Sequence, residues 1–167
     1  LTGFIDGTEN PSLSKAPEVA LISPQSPGAG GSIVLVQKWM HDAAAFDVLP
    51  VKEQEKIMGR TKDTSVELDE EVRGPQSHVS RTVIEENGVE LPIFRRNTPF
   101  GTATEHGTMF IGFSRDQHRL ARMLARMAGA EDGIRDALTR YTTAVSGAYY
   151  FVPSVESLRS FAAEDDE

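Results

Sequence analysis

The chain has 167 residues, with 17 Lys and Arg against 25 Asp and Glu, for a formal net charge of -8. That length suits one domain with its own core, and the acidic balance argues against a nucleic-acid phosphate backbone as partner. There is no cysteine, which excludes disulfides, thiolate nucleophiles and Cys-ligated zinc or iron–sulfur centres, and no apolar run is long enough to suggest a membrane span.

The sequence opens on LTGFIDGTENP, without an initiator Met or a targeting segment, and reads as part of a longer chain. Gly3 and Gly7 bracket Asp6, and Asn10-Pro11 closes the segment. Such a loop can present one carboxylate in a tight space, although a turn capped by Asp6 is the simpler reading. Residues 12–32 are rich in Pro, Ser and Gly and read as an irregular connection. GSIVLVQKWMHD is then a β-branched run suited to a buried strand. Pro50, the helix-forming VKEQEKIM and Gly59 predict a helix with a glycine C-cap. Arg60 follows it, where a cation complements the helix dipole. The polar stretch after it, through Val72, reads as loop.

Beyond His78, RTVI and LPIF read as strand segments on either side of an Asn87-Gly88 turn. The second ends on Arg95, Arg96 and Asn97 and breaks at Pro99. TMFIGF, 108–113, is another strand. Ser114 starts a Ser-x-x-Gln capping box. Leu120, Met123, Leu124 and Met127 then recur at amphipathic-helix spacing up to Gly129. Those methionines read as core, with His118 and Arg122 facing solvent. A second helix is expected from about Glu131, with Ile134, Leu138, Tyr141 and Val145 on its apolar side. AYYFV makes a last strand before Pro153, and the acidic tail ending EDDE reads as disordered. The order is that of an α+β, ferredoxin-like β-α-β-β-α-β domain. It is expected over 32–156, between a motif-bearing leading segment, 1–31, and the tail, 157–167.

Four histidines are present: His41, His78, His106 and His118. None pairs with another at zincin or finger spacing. A single histidine is enough where the metal brings its own equatorial ligands, as haem iron does. An imidazole, a fixed cation and an amide at His78, Arg95 and Asn97 could build such a site, and could equally be surface.

Five motifs favour the site. GFIDG at 3–7, GRTKD around Arg60, SHVSR around His78, RRNTPFG from Arg95 and MFIGF from Met109 occur in order over nearly the whole chain. Together they resemble the dye-decolourising (DyP-type) haem peroxidases, closest to the bacterial B-type members. The resemblance implies the C-terminal half of a two-domain, dimeric α/β barrel-type protein holding haem b. It implies His78 as the proximal iron ligand, Asp6, Arg95 and Asn97 on the distal side, Arg60 at a haem propionate and Phe110 as a distal aromatic. It also implies an acidic residue behind the proximal histidine, for which Asp136 is the best match by position. The helix expected from Glu131, however, puts Asp136 opposite Ile134, Leu138 and Tyr141, where a solvated residue belongs, unless that face covers the haem.

The activity implied is reduction of hydrogen peroxide coupled to oxidation of dyes, phenolics or other bulky reductants. Asp6 would move the peroxide proton and Arg95 would stabilise the separating charge. Trp39, Tyr141, Tyr149 and Tyr150 are candidate electron relays, or plain core. Implied partners are the N-terminal half of the same protein, further copies in a homo-oligomer and an encapsulating shell protein, in the cytoplasm. The alternative is a non-catalytic haem-binding or iron-release (deferrochelatase-like) protein, which would need His78 and Arg60 but not Asp6 or Arg95.

Overall fold

A computed structural model describes residues 3–5, 7–102 and 104–163. Asp6 and residues 164–167 (EDDE) lie outside the described residues; 157–163 of the expected tail are helical, because α7 runs over Val155–Ala163. The elements run α1 (Ala16–Ala20), β1 (Ser32–His41), α2 (Ala43–Asp47), α3 (Val51–Met58), α4 (Glu70–Arg73), α5 (His78–Thr82), β2 (Glu85–Glu86), β3 (Val89–Glu90), β4 (Phe94–Gly101), β5 (His106–Ser114), α6 (Gln117–Ala128), a 3₁₀ turn (Ala137–Arg140), β6 (Thr142–Val152) and α7 (Val155–Ala163). None of the helices among the described residues is long and apolar enough to cross a membrane.

The main sheet has the order β4-β5-β1-β6, and every neighbouring pair is antiparallel. β1 and β4 therefore run parallel with β5 between them, and β5 and β6 run parallel with β1 between them. Two split βαβ units interleave, which is the ferredoxin-like arrangement expected from the element order. α6 covers one sheet face. Its Leu120 and Met123 join Leu35 and Ile84 in the buried core, with Phe110 and Met127 packed against them. The methionines are core residues, as their spacing predicts.

The pleat decides what the other end of that face presents. Directly paired residues share a face, so Leu35–Gly112–Arg95, Gln37–Phe110–Asn97 and Trp39–Thr108–Pro99 form three successive rungs. The first rung faces the α6 core and the next two extend beyond it. A Cβ on Gly112 would lie 2.8 Å from the Phe110 ring and 3.1 Å from Leu120. Glycine is thus what leaves room for the Phe110 ring beside the core.

Asn87 (φ 53°) and Gly88 (φ 75°) join β2 to β3 in the expected tight turn, both in the left-handed region. α3 ends at Gly59 as predicted. Two other expectations fail through local side-chain bonds. RTVI is not a strand: Ser77 caps α5 by accepting from Ser80 N at 3.2 Å, and Thr82 Oγ1 donates to His78 O at 2.8 Å. The helix from Glu131 does not form, because Asp132 and Asp136 accept from the backbone N–H groups of Ile134 (3.0 Å) and Leu138 (2.9 Å). Such bonds compete with helix propagation, and β6 begins as early as Thr142.

The α6 cap is Asp116, accepting from Arg119 N at 3.1 Å, while Ser114 is the buried last residue of β5. β4 starts at Phe94 and runs through Pro99, which an edge strand tolerates because no partner needs its N–H. The 12–32 stretch contains α1, whose Val19 is buried, and the loop after Arg60 contains α4. Tyr149 and Tyr150 are not core: β6 is an edge strand, and they are 37% and 55% exposed. Tyr141 instead meets Phe46 edge-to-face at 5.4 Å.

Candidate functional site

A cavity of about 430 Å³ opens beside the core, within the size range of small-molecule and cofactor sites. The sheet supplies one wall through Gln37, Trp39, Arg95, Asn97 and Phe110; α5 and α6 supply His78 and Met127. The leading segment adds Phe4, Ile5 and Gly7, the residues around Asp6. Five of the residues singled out from sequence, namely Arg60, His78, Arg95, Asn97 and Phe110, therefore line one cavity.

His78 is the first residue of α5. Its Nδ1 lies 2.7 Å from Asp136 Oδ2, and the other Asp136 oxygen accepts from Leu138 N. A carboxylate oxygen accepts, so in the neutral imidazole the proton sits on Nδ1 and Nε2 carries the lone pair. The Asp136 side chain is fully buried. Its position caps the 3₁₀ turn rather than a helix face, so the conflict between motif and helical wheel disappears with the helix itself. Asp136 stands behind His78.

Arg95 is held through its backbone. Its N–H donates to Asn10 Oδ1 at 2.9 Å and its carbonyl accepts from Asn10 Nδ2 at 2.8 Å. One side-chain amide thus imitates a strand partner and pins the leading segment to β4. Thr8 Oγ1 to Ser65 Oγ at 3.2 Å and Glu9 to Arg60 Nη1 at 2.8 Å tie the same segment to the loop after α3. Lys62 Nζ lies over the Phe4 ring, 5.9 Å from its centroid. Arg60 carries more partners than its place past a helix end suggests: it also donates to Ser65 O at 2.9 Å and pairs with Glu67 at 3.0 Å. Glu67 in turn pairs with Arg73.

Asn10 carried no signal in the sequence beyond its Asn-Pro turn, because its partner is 85 residues away. Replacing it with Ala removes two hydrogen bonds and should cost about 1–3 kcal/mol. The expected result is a lower denaturation midpoint at unchanged slope, with faster amide exchange at Arg95. An unchanged midpoint and unchanged exchange would show that the clamp holds nothing.

The other histidines differ from His78. His118 is exposed and bonds Glu86 at 2.6 Å, away from the cavity. His41 lines the cavity, and burial above all pulls it below the usual imidazole range. Among the described residues, no group of three or more His, Asp or Glu could hold a bare metal ion. A single histidine with a buried carboxylate behind it suits a metal that arrives with ligands of its own.

The family model described as Dyp-type peroxidase, C-terminal, matches residues 1–157. A curated Dye-decolorizing peroxidase of Mycolicibacterium paratuberculosis is 42% identical over 163 residues, which is 95% of this chain and 46% of that protein. DyPB from Rhodococcus jostii RHA1 superposes with a TM-score of 0.91 at 43% identity, covering 96% of this chain and 53% of that one. A variant of it was solved in complex with heme. An encapsulated DyP-type peroxidase from Mycobacterium smegmatis gives a TM-score of 0.89 at 42% identity, covering 95% of this chain and 53% of that one. The chain spans about half the length of the curated relatives it matches.

Proposed function

The chain belongs to the Dyp-type peroxidase family, and from that premise we propose that its cavity holds haem b and serves peroxide reduction with oxidation of a bulky organic reductant. The observation that carries this reading is the His78–Asp136 pair in the wall of a cofactor-sized cavity. The residues fit the group. Nε2 of His78 would ligate the iron, Phe110 and Met127 would offer apolar surface to the porphyrin, and Arg60 would hold one of its carboxylates. The haem-bound relative supports the choice of cofactor.

When bound, haem supplies the iron at which peroxide is cleaved and the redox capacity that oxidises the reductant. The chain supplies the rest. Asp136, by accepting a hydrogen bond from His78 Nδ1–H, would make the imidazole a more electron-donating ligand. Arg95 offers a fixed positive charge and N–H donors where negative charge develops as the O–O bond lengthens. Asp6, flanked by the cavity residues Ile5 and Gly7, is the candidate to take the peroxide proton and return it to the leaving oxygen. Asn97 can orient the same small molecule through its amide, and Phe110 keeps bulk water away. In this reading 32–156 is the haem-binding unit, led by 1–31 and followed by the tail 157–167. The proposed surroundings are the N-terminal half of the protein, a homo-oligomer and the cytoplasm. The encapsulated relative makes a shell protein a candidate partner.

The test is steady-state oxidation of an organic dye by haem-loaded protein. Peroxide-dependent turnover that saturates with peroxide is expected. Haem uptake without any turnover would instead favour the storage or iron-release alternative.

A further inference from the structure

α5 has only five residues, too few to hold its own geometry. It is fixed from outside, and at two points one helical turn apart. One is His78 on Asp136. The other is Arg81, whose side chain is only 2% exposed and spends all three guanidinium nitrogens. Nη1 and Nη2 donate to the two Asp132 oxygens at 2.8 and 2.9 Å, and Nε donates to Arg126 O at 3.0 Å, capping the end of α6. Arg126 returns a bond to Ser80 O at 2.6 Å.

Asp132 and Asp136 belong to the same short connection between α6 and the 3₁₀ turn. Asp132 Oδ1 also accepts from Ile134 N at 3.0 Å, shaping the backbone two residues before Asp136. The far end is fixed by Asp136 N on Met127 O at 2.9 Å and Ala137 N on Gln76 O at 2.8 Å. The Arg81 guanidinium, first by its hydrogen bonds, holds the Asp132 carboxyl below the usual carboxylate range. A buried arginine adds little net stability over apolar packing, whereas its rigid fork fixes distance and angle. Its use here is geometric.

We propose that the Arg81–Asp132 pair is a positioning device that holds Asp136 in register with His78 Nδ1. It thereby sets how strongly the carboxylate supports the imidazole as a metal ligand. The part that concerns iron rests on the haem reading above; the part that concerns the His78–Asp136 bond does not.

Asp132→Asn keeps the shape and removes the charged fork. In the haem-free protein, the hydrogen-bonded Nδ1 proton of His78 should give a downfield resonance that moves upfield and exchanges faster in Asp132→Asn. In haem-loaded protein the iron reduction potential should rise, in the same direction as in Asp136→Asn, because a weaker bond leaves a less electron-donating ligand. Asp132→Glu should restore part of both. A folded Asp132→Asn with an unchanged Nδ1 proton would overturn the proposal, whatever its stability. If Asp132→Asn does not fold, Arg81→Lys, which keeps charge and loses the fork, carries the same expectation and the same refutation. The haem-free measurement reads out with or without cofactor, so a failure to bind haem would sink the function and leave the part that concerns the His78–Asp136 bond standing.

Discussion

Replacing His78 with Ala is expected to abolish specific haem uptake, leaving no saturable change in the absorption spectrum on haem addition. Three observations set the size of the effect. With no cysteine in the chain, no thiolate can stand in. His41 is the only other histidine lining the cavity among the described residues, and its buried Nδ1 has no hydrogen-bond partner, hence no carboxylate behind it. Nor does any cluster of acidic residues and histidines among the described residues offer a second metal site. The substitution also leaves Asp136 Oδ2 buried without its partner, a cost of about 1–3 kcal/mol in stability. Circular dichroism should therefore be recorded beside the spectrum. A folded His78→Ala protein that takes up haem with the parent's spectrum would remove His78 as ligand.

Arg95→Leu is expected to slow peroxide consumption by about 10²–10³ while haem stays bound, the range for losing one oriented donor at a site of developing charge. The separation of the two effects follows from how Arg95 is held. Its bonds to Asn10 are made by the main chain, so Leu keeps the clamp and removes the guanidinium. Haem occupancy should stay near the parent's. A peroxide rate equal to the parent's, at equal occupancy, would show that Arg95 takes no part in cleavage and leave Asp6 to act alone.

Those two residues were legible because motifs place them: SHVSR and RRNTPFG carry His78 and Arg95 whatever the elements between them do. Much of the fold was legible for a simpler reason, since the β-branched run of β1, the apolar TMFIGF run of β5 and the helical spacing of α6 each mark an element with a buried face. Two of the misses share a cause. Around α5 and the 132–138 stretch, Ser77, Asp132 and Asp136 side chains bond nearby backbone N–H groups and override the propensities of RTVI and GIRDALTR. Asp136 shows the consequence most plainly. Its motif position pointed to His78 while an assumed helix pointed it to water, and Asp136 is itself one of the two side chains whose bonds replace that helix.

Arg81 closes the SHVSR motif, yet neither its pairing with Asp132 nor the Asn10 clamp was legible, because each works through a partner 50 or more residues away. Nothing in composition or spacing marks such pairs. Burial does: an arginine that is 2% exposed with a bidentate carboxylate stands out once the chain is folded.

The most direct measurement is a haem titration of the protein followed by absorption spectroscopy. Saturation at one haem per chain, with the spectrum of a histidine-ligated ferric haem, is the expected result. Binding that never saturates, or a spectrum indistinguishable from free haem, would contradict a cofactor site built on His78 and Asp136.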